Sequence, residues 1–519
     1  MDDYKFDVIV IGSGMSSLTC ASILTRLFQK KVLVLEQNSH LGGLLGSFDR
    51  SGGYSWEIGL HHVGEMKLGA FPRTVFEFVT GGSIEWNKMP DRFSRILYPD
   101  FTYNIYSSAE EQRNYLASLF PDEKRSIVAY FRDIRIVAEW YRRYNGALRH
   151  QNDRAFDLLT DGVKSLAMQT THDYLAERFR NPMLRSLLAS QWGDYGLPPM
   201  LSAFLVHAVV VNHYIEGAYF PLGGSRGIVE ALRTSIEKNG GILLTDHLVT
   251  KILLKGGRAV GVAVSGKSSV DAGCEFEAEA VVSSIGVYET FRELLAERPS
   301  GEMAMRLDDL SENGTAHVNL YVKLRESPET IGLNGENLWL FTSYDHDRMF
   351  GNRNGLMEGI PQFCNINFPS IKKRDRLSHT AEIISFVESD VFLKDPASRS
   401  RSDRDNCSAI KDRITHALFA LSGDYIPNLN DLVDSYELST PATTVRYTRK
   451  HKGHLYGIPA TPQRFRDPML CPLTDIGNLF LTGADTMLPG IVGAMLSGVN
   501  TVGAMSGGND FLVKLLRSQ

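Results

Sequence analysis

The segment Phe6-Asp7-Val8-Ile9-Val10-Ile11 runs directly into Gly12-Ser13-Gly14, and Glu36 answers it at the end of a second apolar run. No other feature constrains the fold as much. Residues 6–11 read as a buried strand, 16–28 as a helix and 31–35 as the parallel strand that follows. Gly12 permits the tight turn, and Gly14 lets backbone N–H groups approach a pyrophosphate at the positive end of the helix. Ser17 stands where a third glycine is usual, and it is small enough for helix and strand to pack closely. Glu36 lies 19 residues beyond Ser17, the spacing at which a carboxylate accepts hydrogen bonds from a ribose diol, and it would repel a free 2′-phosphate. The unit predicts a site for an adenine dinucleotide.

The rest of the chain narrows the class. Its 519 residues, 43% hydrophobic and 22% charged, are enough for two cores. The five cysteines, Cys20, Cys274, Cys364, Cys407 and Cys471, are odd in number and never spaced as a metal or redox pair, which fits a reducing compartment. A net charge of −5 gives no basic field for nucleic acid. The first strand begins at Phe6, leaving no room for a secretion signal, so a cytoplasmic location is expected. The longest apolar stretch, residues 201–211, contains His207 and falls short of the roughly 20 residues that span a bilayer; it reads as a buried helix. The polar stretch 398–413 reads as a solvated surface helix or loop.

The first βαβ unit is completed from far along the chain. A helical pattern over residues 227–239 (Ile228, Leu232, Ile236) ends at Gly240-Gly241, and strands follow at 242–245, 249–255, 259–264 and 279–285. A last strand at 478–481 leads into Thr482-Gly483-Ala484-Asp485 and a helix from about Val492. The expectation is an α/β protein. Its Rossmann-like dinucleotide-binding domain is built from residues 1–85, 216–300 and 465–519, and a mixed α+β substrate domain from 86–215 and 301–464. The first insert reads as helical, and the second carries strands at 317–324 and 362–367.

Further blocks are more particular. Leu41-Gly42-Gly43 follows Glu36, and Trp56-Glu57-Ile58-Gly59-Leu60-His61 comes next. Gln191-Trp192-Gly193-Asp194-Tyr195-Gly196-Leu197-Pro198-Pro199 precedes Pro221-Leu222-Gly223-Gly224-Ser225. Leu455-Tyr456-Gly457 precedes the closing blocks 481–485 and Pro489-Gly490-Ile491-Val492-Gly493-Ala494. In this order, nearly end to end, they resemble the phytoene desaturase, carotenoid isomerase and retinol saturase group of FAD-dependent oxidoreductases; one departure is Glu57, where that group usually has Asp. The resemblance implies FAD held by Gly12, Gly14 and Glu36 on the ADP side, with Gly42 and Gly43 along the pyrophosphate and ribityl chain. Val249 would contact adenine through its backbone, and Gly483 and Asp485 would bind the pyrophosphate and ribityl hydroxyls. Gly490 and Gly493 bracket a helix N-terminus whose N–H groups and dipole stabilise negative charge on a reduced ring.

A flavin needs few catalytic side chains beside it. If the pattern holds, His61 lies near the ring, where it polarises or protonates the substrate or fills space with one hydrogen bond satisfied. Trp192, Tyr195, Leu201, Phe204, Leu205, Ala208 and Val209 suit an apolar tunnel wall or an ordinary helix core. His207 and His213 do not share a helix face, and no metal is expected. Arg446, Arg449 and Lys450 suit a substrate headgroup or solvated charge. No second strand–turn–helix unit offers a nicotinamide site, and the electron partner stays unassigned. The leading function is saturation, desaturation or isomerisation of double bonds in an apolar polyene or isoprenoid, carotenoid- or retinoid-like and collected by peripheral contact with a membrane. An amine oxidase is the alternative enzyme. However, the place just after Gly490, where such enzymes set an aromatic ring, holds Ile491. A prenyl-group escort protein without flavin is the non-enzyme alternative, and the intact glycines, Glu36 and Asp485 argue against it.

Overall fold

The computed structural model describes residues 5–148, 161–266, 273–295, 302–393, 401–508 and 510–517. Two seven-stranded sheets dominate it. In the first, Lys5–Ile11 lies between Val32–Leu35 and Glu275–Ser283, parallel to both. Ile242–Leu244 extends one side in parallel. On the other side Leu479–Leu481 pairs in parallel with the end of Glu275–Ser283, while Arg258–Gly266 pairs antiparallel with its beginning and carries His247–Lys255. The apolar runs read from the sequence are thus central strands buried on both faces. Val8, Ile9, Val10, Leu33, Val34, Val281 and Val282 are all almost fully buried.

The helix Met15–Phe28 packs closely against Ile491–Ser506. A Cβ on Gly498 would stand 2.5 Å from the carbonyl oxygen of Ser16, so the close approach depends on this distant glycine. Ser17 instead hydrogen-bonds through its hydroxyl to Ser284 at 2.5 Å, which explains why a third glycine is dispensable in the first turn.

The second sheet runs Val433–Ser439, Ala316–Leu324, His379–Val387, Phe363–Asn367, Asn337–Phe341, Arg92–Leu97, Thr102–Tyr106. All its pairs are antiparallel except Asn337–Phe341 with Arg92–Leu97. The last two strands correct the expectation of a helical first insert. Residues 86–106 form strands before the chain turns helical at Ala109. Ser94, Arg95 and Asn104 break their apolar runs, which leaves them without an obvious strand signal. The expected buried helix is Phe204–Tyr214, three residues later than the apolar run suggests. The polar stretch from residue 401 belongs to the helix Arg401–Tyr425. No helix among the described residues is long and apolar enough to cross a membrane.

Candidate functional site

Five strands drawn from three distant parts of the chain end level with one another. Ile11 is in register with Leu35 and with Ser283, Leu35 with Leu244, and Ser283 with Leu481. Their carboxyl ends therefore deliver Gly12, Glu36, Ser284 and Gly483 to one edge of the sheet, where open α/β sheets bind their ligands. A cavity of about 550 Å³ begins there and is lined by Gly12, Gly14, Glu36, Gly42, Gly43, Val249, Gly483, Gly490 and Gly493. These nine positions share one cavity with His61.

Glu36 is fixed from both sides. One carboxylate oxygen accepts from the Ser13 N–H at 3.2 Å and the Ser13 hydroxyl at 2.6 Å. The other accepts from the N–H and side-chain amide of Asn38, both at 2.8 Å. Ser13 Oγ in turn accepts from the Gly42 N–H at 3.0 Å. The acid, the glycine turn and the second glycine pair are therefore one hydrogen-bonded unit. The backbone of Glu36 also joins the strands on either side of Asp246, donating to Leu244 and accepting from His247; Val249 is thereby brought to the same end.

The glycines are needed for space as well as for conformation. Gly12 has φ +89° and faces Ser284. Gly14 has extended backbone (φ −67°, ψ 175°), and a Cβ there would meet nothing within 4 Å. Its open side faces the cavity, at the N-terminus of Met15–Phe28. At the other helix N-terminus, a Cβ on Gly493 would collide with the Leu488 carbonyl. The first turn of Ile491–Ser506 leaves N–H groups without intrahelical partners.

Two expected cofactor residues sit behind the wall. Ser17 and Asp485 do not line the cavity. Asp485 accepts from the Ile458 N–H at 2.8 Å with one oxygen and from the Val287 N–H at 2.9 Å with the other. Burial alone would raise its pKa, but Lys450, Arg464 and these two N–H groups outweigh that and hold it below the ordinary carboxylate value. Arg464 is buried and donates to the carbonyls of Ile458, Ala484 and Met487. Lys450 pairs with Glu289 at 3.7 Å and Arg449 with Glu293 at 3.6 Å. All four of these side chains line the cavity together with Val249, so Arg449 and Lys450 belong to its nucleotide end, while Arg446 does not line it.

The second sheet supplies another wall. Trp339 is in register with Asn365, Asn365 with Ile384, and Phe386 with His317; all five line the cavity. Behind them lies a polar lattice that the sequence did not announce. Lys372 donates to the His61 carbonyl at 2.7 Å and to the side-chain oxygens of Asn337 and Asn367. Asn337 donates to His62 Nδ1 at 2.7 Å, and Asn367 donates to Glu382 at 3.0 Å. Burial draws Lys372 down to about 7 against the pull of Glu382 and Glu336. Glu57 accepts from the Ser225 N–H at the start of helix Gly224–Lys238 and pairs with Lys373. This is a favourable place for an anion. These bonds fix the segment that presents His61. Burial, then Lys372 and His317, push the His61 imidazole down to about 3, so it is neutral at working pH.

A further part of the cavity wall is mostly apolar, although Glu65, Arg142 and His213 also line the cavity. Phe71 and Pro72, Ala138 and Tyr141, and Val206, Val209 and Val210 line it. The helix Phe204–Tyr214 is apolar around most of its circumference, with His207, Asn212 and His213 the exceptions, because one side packs in the core while these valines meet the cavity. Trp192 and Tyr195 are core residues. Trp192 is fully buried, donates to His346 Nδ1 at 3.0 Å and is boxed in by Phe341, Phe350, Phe363 and Phe386. Tyr195 reaches His207, which Tyr130 also contacts at 2.8 Å. His213 contacts Glu65 at 3.0 Å. Among the described residues no group of three or more His, Cys, Asp or Glu is placed to hold a metal.

A fixed carboxylate at one end, two helix N-termini bordered by glycines between, and a mostly apolar chamber beyond match an adenine dinucleotide carrying a flat redox ring. The open side of Gly14 is the cradle that a side chain would fill. The fold and cavity thus define a flavin-dependent oxidoreductase.

Residues 15–302 match the family described as flavin containing amine oxidoreductase. The chain belongs to that family, and its cofactor is FAD. It is 28% identical to all-trans-retinol 13,14-reductase of Danio rerio over 96% of this chain and 85% of that protein. It is 24% identical to the chloroplastic prolycopene isomerase of Arabidopsis thaliana over 95% of this chain and 81% of that one. These relatives bear out the resemblance carried by the middle blocks. An oxidoreductase structure from Methanosarcina mazei superposes with a TM-score of 0.60 at 18% identity, covering 97% of this chain and 99% of that one; at that identity it establishes the fold alone.

Proposed function

We propose that this protein is an FAD-dependent reductase of a carbon–carbon double bond in an apolar, retinoid- or carotenoid-like polyene. The apolar part of the wall carries the proposal. Val206, Val209, Val210 and Ala138 line the same cavity as Ile491 and Val492 of the closing block, a surface that desolvates a hydrocarbon chain. It offers no ring face at Ile491 to steer an amine nitrogen. The near full-length similarity to retinol 13,14-reductases and prolycopene isomerases supports the same reading.

Bound FAD supplies hydride transfer. The chain's own part is to grip the dinucleotide through Glu36 and the glycine turns, exclude water, and orient the polyene. His61, as a neutral imidazole, acts as a hydrogen-bond donor that positions the substrate rather than as a cationic acid. His61→Gln keeps a donor and is expected to retain turnover within about tenfold of the parent. A loss beyond about a thousandfold, with flavin content unchanged, would show that the imidazole itself moves the proton.

The direct test is anaerobic. Flavin-reduced holoprotein mixed with all-trans-retinol and a panel of carotenoids should regain the oxidised flavin spectrum, and oxidised holoprotein should stay oxidised with simple amines. Reduction by amines together with inertness toward every polyene would replace this reading with an amine oxidase.

A further inference from the structure

Hydrogenation of a double bond needs a proton as well as a hydride, and the carboxyl groups lining the cavity differ sharply in their surroundings. Glu36 is held by Ser13 and Asn38. Glu289 and Glu293 pair with Lys450 and Arg449. Glu65 contacts His213 at 3.0 Å and Arg142 at 3.9 Å. The fifth, Asp194, has no ion pair among the described residues.

The turn that carries Asp194 is clamped on both sides. Trp192 is locked in its aromatic box. A Cβ on Gly193 would collide with the Trp339 ring, and the Gly193 carbonyl accepts from the Tyr456 hydroxyl at 2.8 Å. Thr315 Oγ1 donates to the Gly196 carbonyl at 2.5 Å. The Asp194 carboxyl thus meets the cavity from a rigid support. The groups around it are the Gln191 side chain from its own turn, Tyr195 beside it, Tyr214 from the helix Phe204–Tyr214 and Tyr456 from the closing segment. None of them is a cation.

We propose that Asp194 is the proton donor of this site, giving its carboxyl proton to one carbon of the substrate double bond while the other carbon receives hydride from reduced flavin. This rests on the polyene-reductase reading above. The substrate π bond, the O–H bond of Asp194 and the hydride-carrying bond of the reduced flavin break, and two C–H bonds form, with both electrons supplied by the flavin. The substrate gains two hydrogens and the flavin is oxidised. Asp194 is left as a carboxylate that takes a proton from solvent before the next turnover. Its surroundings suit a general acid. Burial, only partly offset by the Gln191 hydrogen bond, pushes Asp194 up to about 7, so an acid is present at neutral pH where an exposed aspartate would be ionised.

The test uses FAD-loaded full-length protein, its Asp194→Asn and Asp194→Glu variants, and all-trans-retinol as probe. Asp194→Asn should keep its flavin spectrum and its retinol affinity yet reoxidise reduced flavin about a hundredfold or more slowly, with Asp194→Glu partly restoring the rate. Parent turnover should fall as pH rises through about 7, and the Asn variant should lose that limb. Infrared titration should show a protonated-carboxyl band in the parent that disappears over the same range and is missing from Asp194→Asn. An Asn variant with unchanged rate and pH profile overturns the proposal. If the parent reduces no polyene, the polyene reading fails separately; a parent spectrum with no such band at pH 6 overturns the proton-donor assignment by itself.

Discussion

Gly14→Val is expected to give a folded protein that purifies without flavin. The backbone at Gly14 is extended, a conformation valine prefers, and a Cβ there touches no protein atom within 4 Å. The apoprotein should therefore keep the circular dichroism and unfolding midpoint of the parent apoprotein. The side chain projects instead into the cradle between the first glycine turn and Gly43, where the pyrophosphate must approach backbone N–H groups. Crowding by a few methyl groups costs about 1–3 kcal/mol, roughly fivefold to 150-fold in affinity. Titration of both apoproteins with FAD, followed by calorimetry, measures the difference. A yellow variant with parent affinity would mean that the dinucleotide does not pass Gly14.

The second large effect falls on stability. Asp485→Ala removes the acceptor of the Val287 and Ile458 N–H groups and takes away the negative charge that the buried Arg464 and the cavity-lining Lys450 act on. Breaking one partner out of such a network costs about 3–5 kcal/mol. Denaturant unfolding of parent and variant, both as apoprotein, reads this directly. The pH dependence has a definite sign. The folded-state pKa of Asp485 lies below its ordinary value, so its stabilising contribution is complete above the unfolded carboxylate pKa of about 3.9. It is lost as pH falls through the lower folded value. The variant should be less stable at neutral pH and lose less on acidification. Equal stability at neutral pH would show that the closing loop is held by other contacts.

The local signals were readable in the sequence, and the tertiary ones were not. The strand–glycine–helix unit and Glu36 depend on neighbours within one βαβ stretch, and their residues line the cavity as their spacing requires. Asp485 was legible as part of the closing block, yet its bonding partners come from Val287, nearly two hundred residues earlier, and Ile458; no local pattern encodes that role. The Asn–Lys–Glu lattice around Lys372 joins separate strands and helices whose individual polar residues look like breaks in apolar runs. Asp194 stood in plain view inside a recognisable block. What sets it apart is that, among the described residues, it has neither the ion pair that Glu65, Glu289 and Glu293 make nor the set of hydrogen bonds that holds Glu36, a property that exists only once the helix Phe204–Tyr214 and the closing segment have been brought around it. The apolar run ending at Val211 shows the same limit in reverse: its composition announced burial, while the valines facing the cavity could be separated from those in the core only by packing.

The measurement closest to the central claim is product analysis under anaerobic conditions. Flavin-reduced holoprotein, incubated with all-trans-retinol and with longer polyenes, should yield by mass spectrometry a product carrying two more hydrogens than its substrate. It should appear in amounts equal to the flavin oxidised, with one of the two hydrogens drawn from solvent. Recovery of every polyene unchanged while the flavin stays reduced would contradict the account.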